Sequence, residues 1–310
     1  MASTRAGTKS TPTAGSHTLI LPCKHNLGSR VLGYHVSGKP SGQPIFYFHG
    51  TPSSRLEASD FHEIGEKLNL CVIGVDRPGI GLSTFQSGYT LLDWPQDIWR
   101  LATHLSFSEF HVLGGSGGGP YALACAREIP GNVLKGTGIL AGQGPPRSGT
   151  KGLSWEQWFG LTINRWLPRW MLHFVIEHGL GRHARDPDQT QWRKLVIDGM
   201  IRKMCSKDQV FTYEEMERMI SSMRECFVNG SDGYVLDINT VLGPWPFDLR
   251  SVKGRVKIWN GTDDTNTPIY MARWMANHLP DGSLKEFSGD THISIFLYRG
   301  EEVLKDLIKM

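Results

Sequence analysis

The chain has 310 residues and a net charge of +3, from 33 basic and 30 acidic side chains. That balance is too small to supply the field that nucleic-acid binding draws on, and the length suits an α/β core with one sizeable insertion better than two equal domains. Five scattered cysteines (Cys23, Cys71, Cys125, Cys205 and Cys226) include no C-x-x-C pair, which speaks against a disulfide framework and against a cysteine-built zinc site.

Residues 1–16 are rich in Ser, Thr, Ala and Gly and read as a disordered tail. They show no apolar core of a secretory signal, and no apolar run reaches the ~18 residues of a membrane span. The expectation is a cytoplasmic protein without membrane attachment.

Order is expected to begin at "HTLILPC", which can pair with "RVLGYHV" across the turn at "KHNLGS". A rhythm follows. "PIFYFHG", "LCVIGVD", "FHVLGG" and "VLKGTGIL" are short apolar runs. They alternate with "LEASDFHEIGEKL", "WPQDIWRLATHL" and "PYALACAREI", whose apolar residues recur at helical spacing. This alternation predicts a mainly parallel sheet covered by helices on both faces. From about 151 to 235 only helical patterns appear, among them a capping box, Thr212 with Glu215, before the face Met216, Met219, Ile220, Met223 and Phe227. Strand and helix resume with "RVKIWNG", "PIYMARWMANHL", "SLKEFSG" and "HISIFLYRGEEVLKDLI". The plan is a core of residues 17–145 and 236–310 with an all-helical insertion over 146–235.

The stretch "FHVLGGSGGGPYALACA" carries the chemistry. Its glycines match a dinucleotide fingerprint, Gly117-x-Gly119-x-x-Ala122, but no Asp or Glu stands between Glu128 and Glu156 to hold a ribose. No Lys-Ser or Lys-Thr follows the glycines, so a phosphate-binding loop of the Walker type fails too. The same stretch also reads Gly114-x-Ser116-x-Gly118 at a turn from strand to helix. Such a turn holds a serine proud of the sheet, where glycines alone avoid collision and the helix amides favour developing negative charge.

A serine nucleophile needs a base, and the base needs an orienting acid. In this topology they follow in the order Ser, acid, His. "WNGTDDTNTP" places Asp263 and Asp264 at the carboxyl end of a strand, and "EFSGDTHISIF" places His292 at the start of the last helix. All three segments reach the sheet edge where open α/β sheets bind ligands. Two backbone N–H groups are expected to hold the oxyanion, those of Gly117 and of Thr51 in the loop "HGTPSS". His49 in that loop is read as a structural brace.

With "FHGTP", "DRPGIGLS", "GGSGGGPYALACA", "WPFDL", "NGTDDTNTP" and "SGDTHISI", the chain resembles the α/β-hydrolase fold superfamily over about residues 30–145 and 240–300. The resemblance implies Asp264 rather than Asp263 as the acid, by the pattern G-x-x-D from Gly261. It implies structural roles for Asp76 and Arg77 and a lid role for the insertion. Two positions depart from the pattern: Gly115 stands where a larger residue is usual, and Thr291 where Gly is common.

Ser116 sets the chain apart from relatives with an aspartate nucleophile, so its chemistry should run through an acyl-serine. Trp155, Trp158, Trp166, Trp170 and Trp192 in the insertion could form the lid's own core or an apolar roof over substrate. His173, His178 and His183 recur every five residues and do not stack on one helical face, which disfavours a metal site. The reading is a serine hydrolase of a carboxylic ester or lactone of moderate size and apolar character, needing no cofactor or metal. Its rivals with the same triad are a C–C hydrolase, an amidase or iminopeptidase, and an acyl-transfer or cyclisation enzyme of secondary metabolism. A non-catalytic ligand receptor on the same scaffold is the rival outside enzymes.

Overall fold

The computed structural model describes residues 15–23, 28–149, 151, 167–201 and 212–310. Eight strands form one sheet: β1 Ser16–Pro22, β2 Ser29–Gly38, β3 Gln43–Phe48, β4 Leu70–Val75, β5 Phe110–Gly115, β6 Leu134–Leu140, β7 Val256–Gly261 and β8 Gly282–Phe287. Their spatial order is β1-β2-β4-β3-β5-β6-β7-β8. The β1–β2 and β2–β4 pairs are antiparallel and the rest parallel. Every residue of β4 and β5 is buried, which is why these strands read as unbroken apolar runs rather than alternating ones.

Successive side chains of a strand point to opposite faces, and here each face has its own core. Phe46, Phe48 and Val112 pack with Trp94, Ile98 and Leu101 of α2 (Trp94–His104) and Ala122 and Cys125 of α3 (Gly119–Glu128). Ile45, Tyr47 and Leu113 pack instead with Phe61 and with Ile295, Val303 and Leu304 of the last helix, which covers His292–Leu307. A short helix, α1 (His62–Leu68), follows a 3-10 segment over Arg55–Phe61 where one continuous helix was expected. Ser16, expected as the end of the tail, is buried and already paired with His35 across β1–β2; residues 1–14 lie outside the described residues.

Between β6 and β7 the described residues form α4 (Arg169–Ile176), α5 (Arg182–Arg185), α6 (Thr190–Ile201), α7 (Tyr213–Glu225) and α8 (Asp232–Leu242), with a π-helical turn over Glu177–Gly181. Thr212 caps α7 with the capping box its sequence predicts. Met216, Met219, Ile220, Met223 and Phe227 pack around Trp192, Val196 and Val235. Ile80, from the turn after β4, plugs into the same cluster. Helix α8 runs across position 235, where the insertion was expected to end. After β7 come α9 (Ile269–His278), β8 and α10 (His292–Leu307). Among the described residues no helix is long and apolar enough to cross a membrane.

Candidate active site

Ser116 follows the last residue of β5 and opens a single 3-10 turn that leads into α3. Its φ is +50°, a left-handed backbone that a residue with a side chain rarely takes. The flanking glycines are required for space. A Cβ at Gly114 would stand 2.4 Å from the Gly118 carbonyl oxygen, and one at Gly118 would stand 2.0 Å from that of Phe48. The Gln143 N–H donates to the Ser116 carbonyl at 2.9 Å and ties the turn to the segment after β6. At Gly115 the missing side chain is replaced by neighbours: a Cβ there would meet the Tyr47 hydroxyl at 2.4 Å and the Phe296 ring at 2.9 Å.

His292 is the first residue of α10, and Thr291 caps that helix in a reciprocal pair with Ser294. A threonine in place of the usual glycine therefore serves the helix terminus. His292 Nε2 lies 3.1 Å from Ser116 Oγ, and its Nδ1 lies 2.8 Å from Asp264 Oδ2. The Asp264 side chain is inaccessible to solvent. Its Oδ1 accepts the backbone N–H groups of Asn266 and Thr267, both at 2.8 Å. With a carboxylate as its partner, Nδ1 carries the imidazole proton and Nε2 is left to accept from the serine. Asp263 is exposed and takes the Thr262 hydroxyl at 2.9 Å. Of the two aspartates, it is Asp264 that the fold brings to the histidine.

Thr267, which sequence reasoning missed, closes this group. Its hydroxyl lies 2.9 Å from Asp264 Oδ2, 2.9 Å from the Ala141 carbonyl and 3.2 Å from His292 Nδ1.

The loop after β3 lies against the serine turn. A Cβ at Gly117 would stand 2.3 Å from Thr51 Oγ1 and 3.5 Å from the Thr51 nitrogen, so the two expected oxyanion donors are neighbours. The Gly50 N–H is turned elsewhere, to Glu57 Oε2 at 3.1 Å, and Glu57 also accepts from the Tyr47 hydroxyl. His49 Nδ1 is 2.8 Å from the Gly50 carbonyl and therefore donates to it. Burial first, and Arg77 next, hold the His49 pKa well below its ordinary value, so the ring stays neutral. This is the bracing role its sequence position suggested.

Asp76 and Arg77, both expected to be structural, part company. Asp76 accepts from the backbone N–H groups of Arg55 at 2.7 Å and Leu82 at 2.9 Å, and from Arg55 Nη1 at 3.0 Å. It braces its own turn. Arg77 reaches the loop beside Ser116, donating to the carbonyls of His49 at 2.6 Å and Gly50 at 2.7 Å and to Thr51 Oγ1 at 2.8 Å. Its ionic partner is Asp237 of α8, with Nη2 2.8 Å from Oδ2.

The insertion's tryptophans divide. Trp192 is 1% exposed in the insertion's own core and Trp170 is 71% exposed, while Trp155, Trp158 and Trp166 lie outside the described residues. Among the described residues no cluster of His, Cys, Asp and Glu could hold a metal ion.

Comparison with known proteins agrees with this architecture. Residues 43–297 match the family described as the alpha/beta hydrolase fold. A proline iminopeptidase of Lactobacillus crispatus is 24% identical over 303 residues, covering 89% of this chain and 92% of that protein. One of Arabidopsis thaliana is 34% identical over 116 residues, which is 35% of this chain and 30% of that protein. Among solved structures, a thermophilic esterase from Thermogutta terrifontis superposes with a TM-score of 0.68 at 19% identity, covering 94% of this chain and 98% of the esterase. The matched span takes in every strand from β3 to β8 together with Ser116, Asp264 and His292, and on it the chain belongs to the α/β hydrolase fold family.

Proposed function

We propose that this hydrolase cleaves a carboxylic ester or lactone of moderate size and apolar character through an acyl-serine intermediate. The observation that carries the reading is the relay of distances, 3.1 Å from Ser116 Oγ to His292 Nε2 and 2.8 Å from His292 Nδ1 to Asp264 Oδ2. Ser116 Oγ attacks the carbonyl carbon while His292 Nε2 takes its proton. The carbonyl oxygen becomes an oxyanion, held by the N–H groups of Thr51 and Gly117. Collapse breaks the bond to the alkoxide, which leaves with the proton from His292. Water, deprotonated by the same nitrogen, then attacks the acyl-serine and frees the acid and Ser116. Asp264 keeps the imidazole in the required tautomer and orientation throughout.

In this reading the helical insertion acts as a lid over the serine. Support comes from α8, whose Asp237 touches Thr51 beside the reacting group. The substrate is taken as a small molecule met in the cytoplasm, away from membranes and nucleic acid. The iminopeptidase relatives favour a second reading, hydrolysis of an N-terminal prolyl amide with the same residues.

A fluorophosphonate probe read by intact mass tests the first reading. One adduct on the parent protein, absent from Ser116→Ala, is expected; a folded parent that takes no adduct overturns it. A panel of p-nitrophenyl esters, lactones and prolyl anilides then separates the two substrate classes. Faster turnover of the prolyl anilide would replace the ester reading with the second.

A further inference from the structure

The carbonyl of Gly50 and the N–H of Thr51 belong to one peptide unit, which is planar and, when trans, aims the two groups in opposite directions. Whatever fixes the oxygen therefore fixes the aim of the N–H. The Gly50 oxygen accepts from Arg77 Nη2 at 2.7 Å and from His49 Nδ1 at 2.8 Å. The preceding carbonyl, that of His49, accepts from Arg77 Nη1 at 2.6 Å. The N–H of that unit belongs to Gly50 and points to Glu57. One guanidinium thus sets two successive peptide planes.

Arg77 is set in turn by Asp237. That carboxylate accepts from Arg77 Nη2 at 2.8 Å, from Thr51 Oγ1 at 2.7 Å and from the Tyr121 hydroxyl at 3.0 Å. Tyr121 sits on α3, the helix that starts beside Ser116, so the carboxylate joins both donor-bearing segments to α8. Burial, reinforced by Asp237, raises the Tyr121 pKa well above its ordinary value and keeps the phenol a donor. The approach of α8 depends on two glycines. A Cβ at Gly79, whose φ is +82°, would stand 2.7 Å from Gly233 Cα.

We propose that Arg77 and Asp237 are a positioning pair through which α8 aims the Thr51 N–H at the oxyanion; the proposal rests on the serine-hydrolase reading. A buried ion pair is by itself a weak stabiliser, and apolar side chains could fill the same volume. Only a planar fork with donors on two nitrogens grips both carbonyls at once. Neither residue meets substrate. Their effect is on the direction of a donor that matters most when the carbonyl oxygen becomes charged.

The test compares Asp237→Asn and Arg77→Lys with the parent protein. It uses kcat and KM for the best ester, the affinity of a trifluoromethyl ketone that forms a tetrahedral adduct, and the melting temperature. Loss of donor alignment is expected to lower kcat by about tenfold to a hundredfold with KM within about twofold. Ketone affinity should fall in step with kcat/KM. A lowered melting temperature with kcat and ketone affinity within about twofold of the parent would reduce the pair to a fold-stabilising one and overturn the proposal. Should Asp237→Asn fail to fold, Arg77→Lys decides alone, since lysine keeps the charge and loses the fork. A parent protein that takes no fluorophosphonate at Ser116 overturns the underlying reading and this proposal with it. A labelled parent with unimpaired variants removes the proposal only.

Discussion

Thr267 offers its one hydroxyl proton between two acceptors, Asp264 Oδ2 and the Ala141 carbonyl, each 2.9 Å away. The residue therefore joins the acid to the strand end that follows β6, and it stands beside the atom through which Asp264 meets His292. Thr267→Val keeps the shape and removes the hydroxyl. A hydrogen bond to a charged group contributes ~1.5–3 kcal/mol, so kcat for ester hydrolysis should fall by about tenfold to a hundredfold. Thr267→Ser should restore most of it. Unchanged kcat in the valine variant would limit Thr267 to packing.

The adjacent aspartates give a sharper contrast. Asp264→Asn removes the acceptor that selects the tautomer of His292, and kcat should drop about ten-thousandfold. Asp263→Asn alters an exposed side chain bonded to Thr262 and should leave kcat within about twofold. Equal losses in the two variants would refute the assignment of Asp264 as the orienting acid.

Gly118 tests the turn itself. Alanine there brings its Cβ to 2.0 Å from the Phe48 carbonyl oxygen, a backbone atom that cannot step aside. Destabilisation of about 3 kcal/mol or more is expected in urea titrations, from overpacking against rigid backbone. An alanine variant as stable as the parent would contradict the close approach of β3 to the serine turn.

Acid should weaken the fold through buried histidines. Burial, with Arg55 nearby, holds the pKa of His35 to about 4, and burial does the same for His111, against an ordinary 6.5. Between those values the unfolded chain binds the extra protons. The histidine contribution is therefore whole above pH 6.5 and is lost as the pH falls towards 4. Over that range each residue accounts for something on the order of 3 kcal/mol. Asp76, raised to about 6 by burial against the pull of Arg55, works in the opposite sense, so the informative quantity is a difference between proteins. His111→Gln should lose less stability than the parent on going from about pH 7.5 to about pH 5. Parallel melting curves for the two would show that His111 is not held neutral.

How far the sequence discloses this arrangement depends on the range of each interaction. Largely buried parallel strands announce themselves as apolar runs, and β3 to β7 were readable for that reason. Strand β8 buries only Phe287 and was readable by its place between two helical segments. Ser116 was readable because its two glycines are demanded by local backbone geometry, and His292 because it opens the last helix. Arg77 and Asp237 are 160 positions apart, and no local pattern links them. Thr267 is close in sequence to Asp264, yet "DDTNTP" offers several polar residues of equal promise. The tryptophans show the same limit, since Trp170 and Trp192 look alike on paper and differ only in what α7 and α8 bring against them. Gly115 reads in the sequence only as a departure from the pattern; the Tyr47 hydroxyl and the Phe296 ring occupy the space that its side chain would have taken.

The segments that carry Asp264 and His292 touch backbone to backbone. A Cβ at Gly261 would stand 2.0 Å from the Asp290 oxygen, the Asp263 N–H donates to that same oxygen at 3.0 Å, and the Gly289 N–H donates to Thr262 at 2.8 Å. Asp264 and His292, the proposed acid and base, are thus mounted on one stiff bracket at the β7–β8 end of the sheet, while Ser116, the proposed nucleophile, follows β5, with β6 as the spacer between them. A strain that splays the sheet would shift that bracket as a unit. The Asp264–His292 contact would survive and the Ser116–His292 gap would widen, so, on the proposed reading, mechanical damage to this hydrolase should silence the serine first and leave the imidazole still held by Asp264.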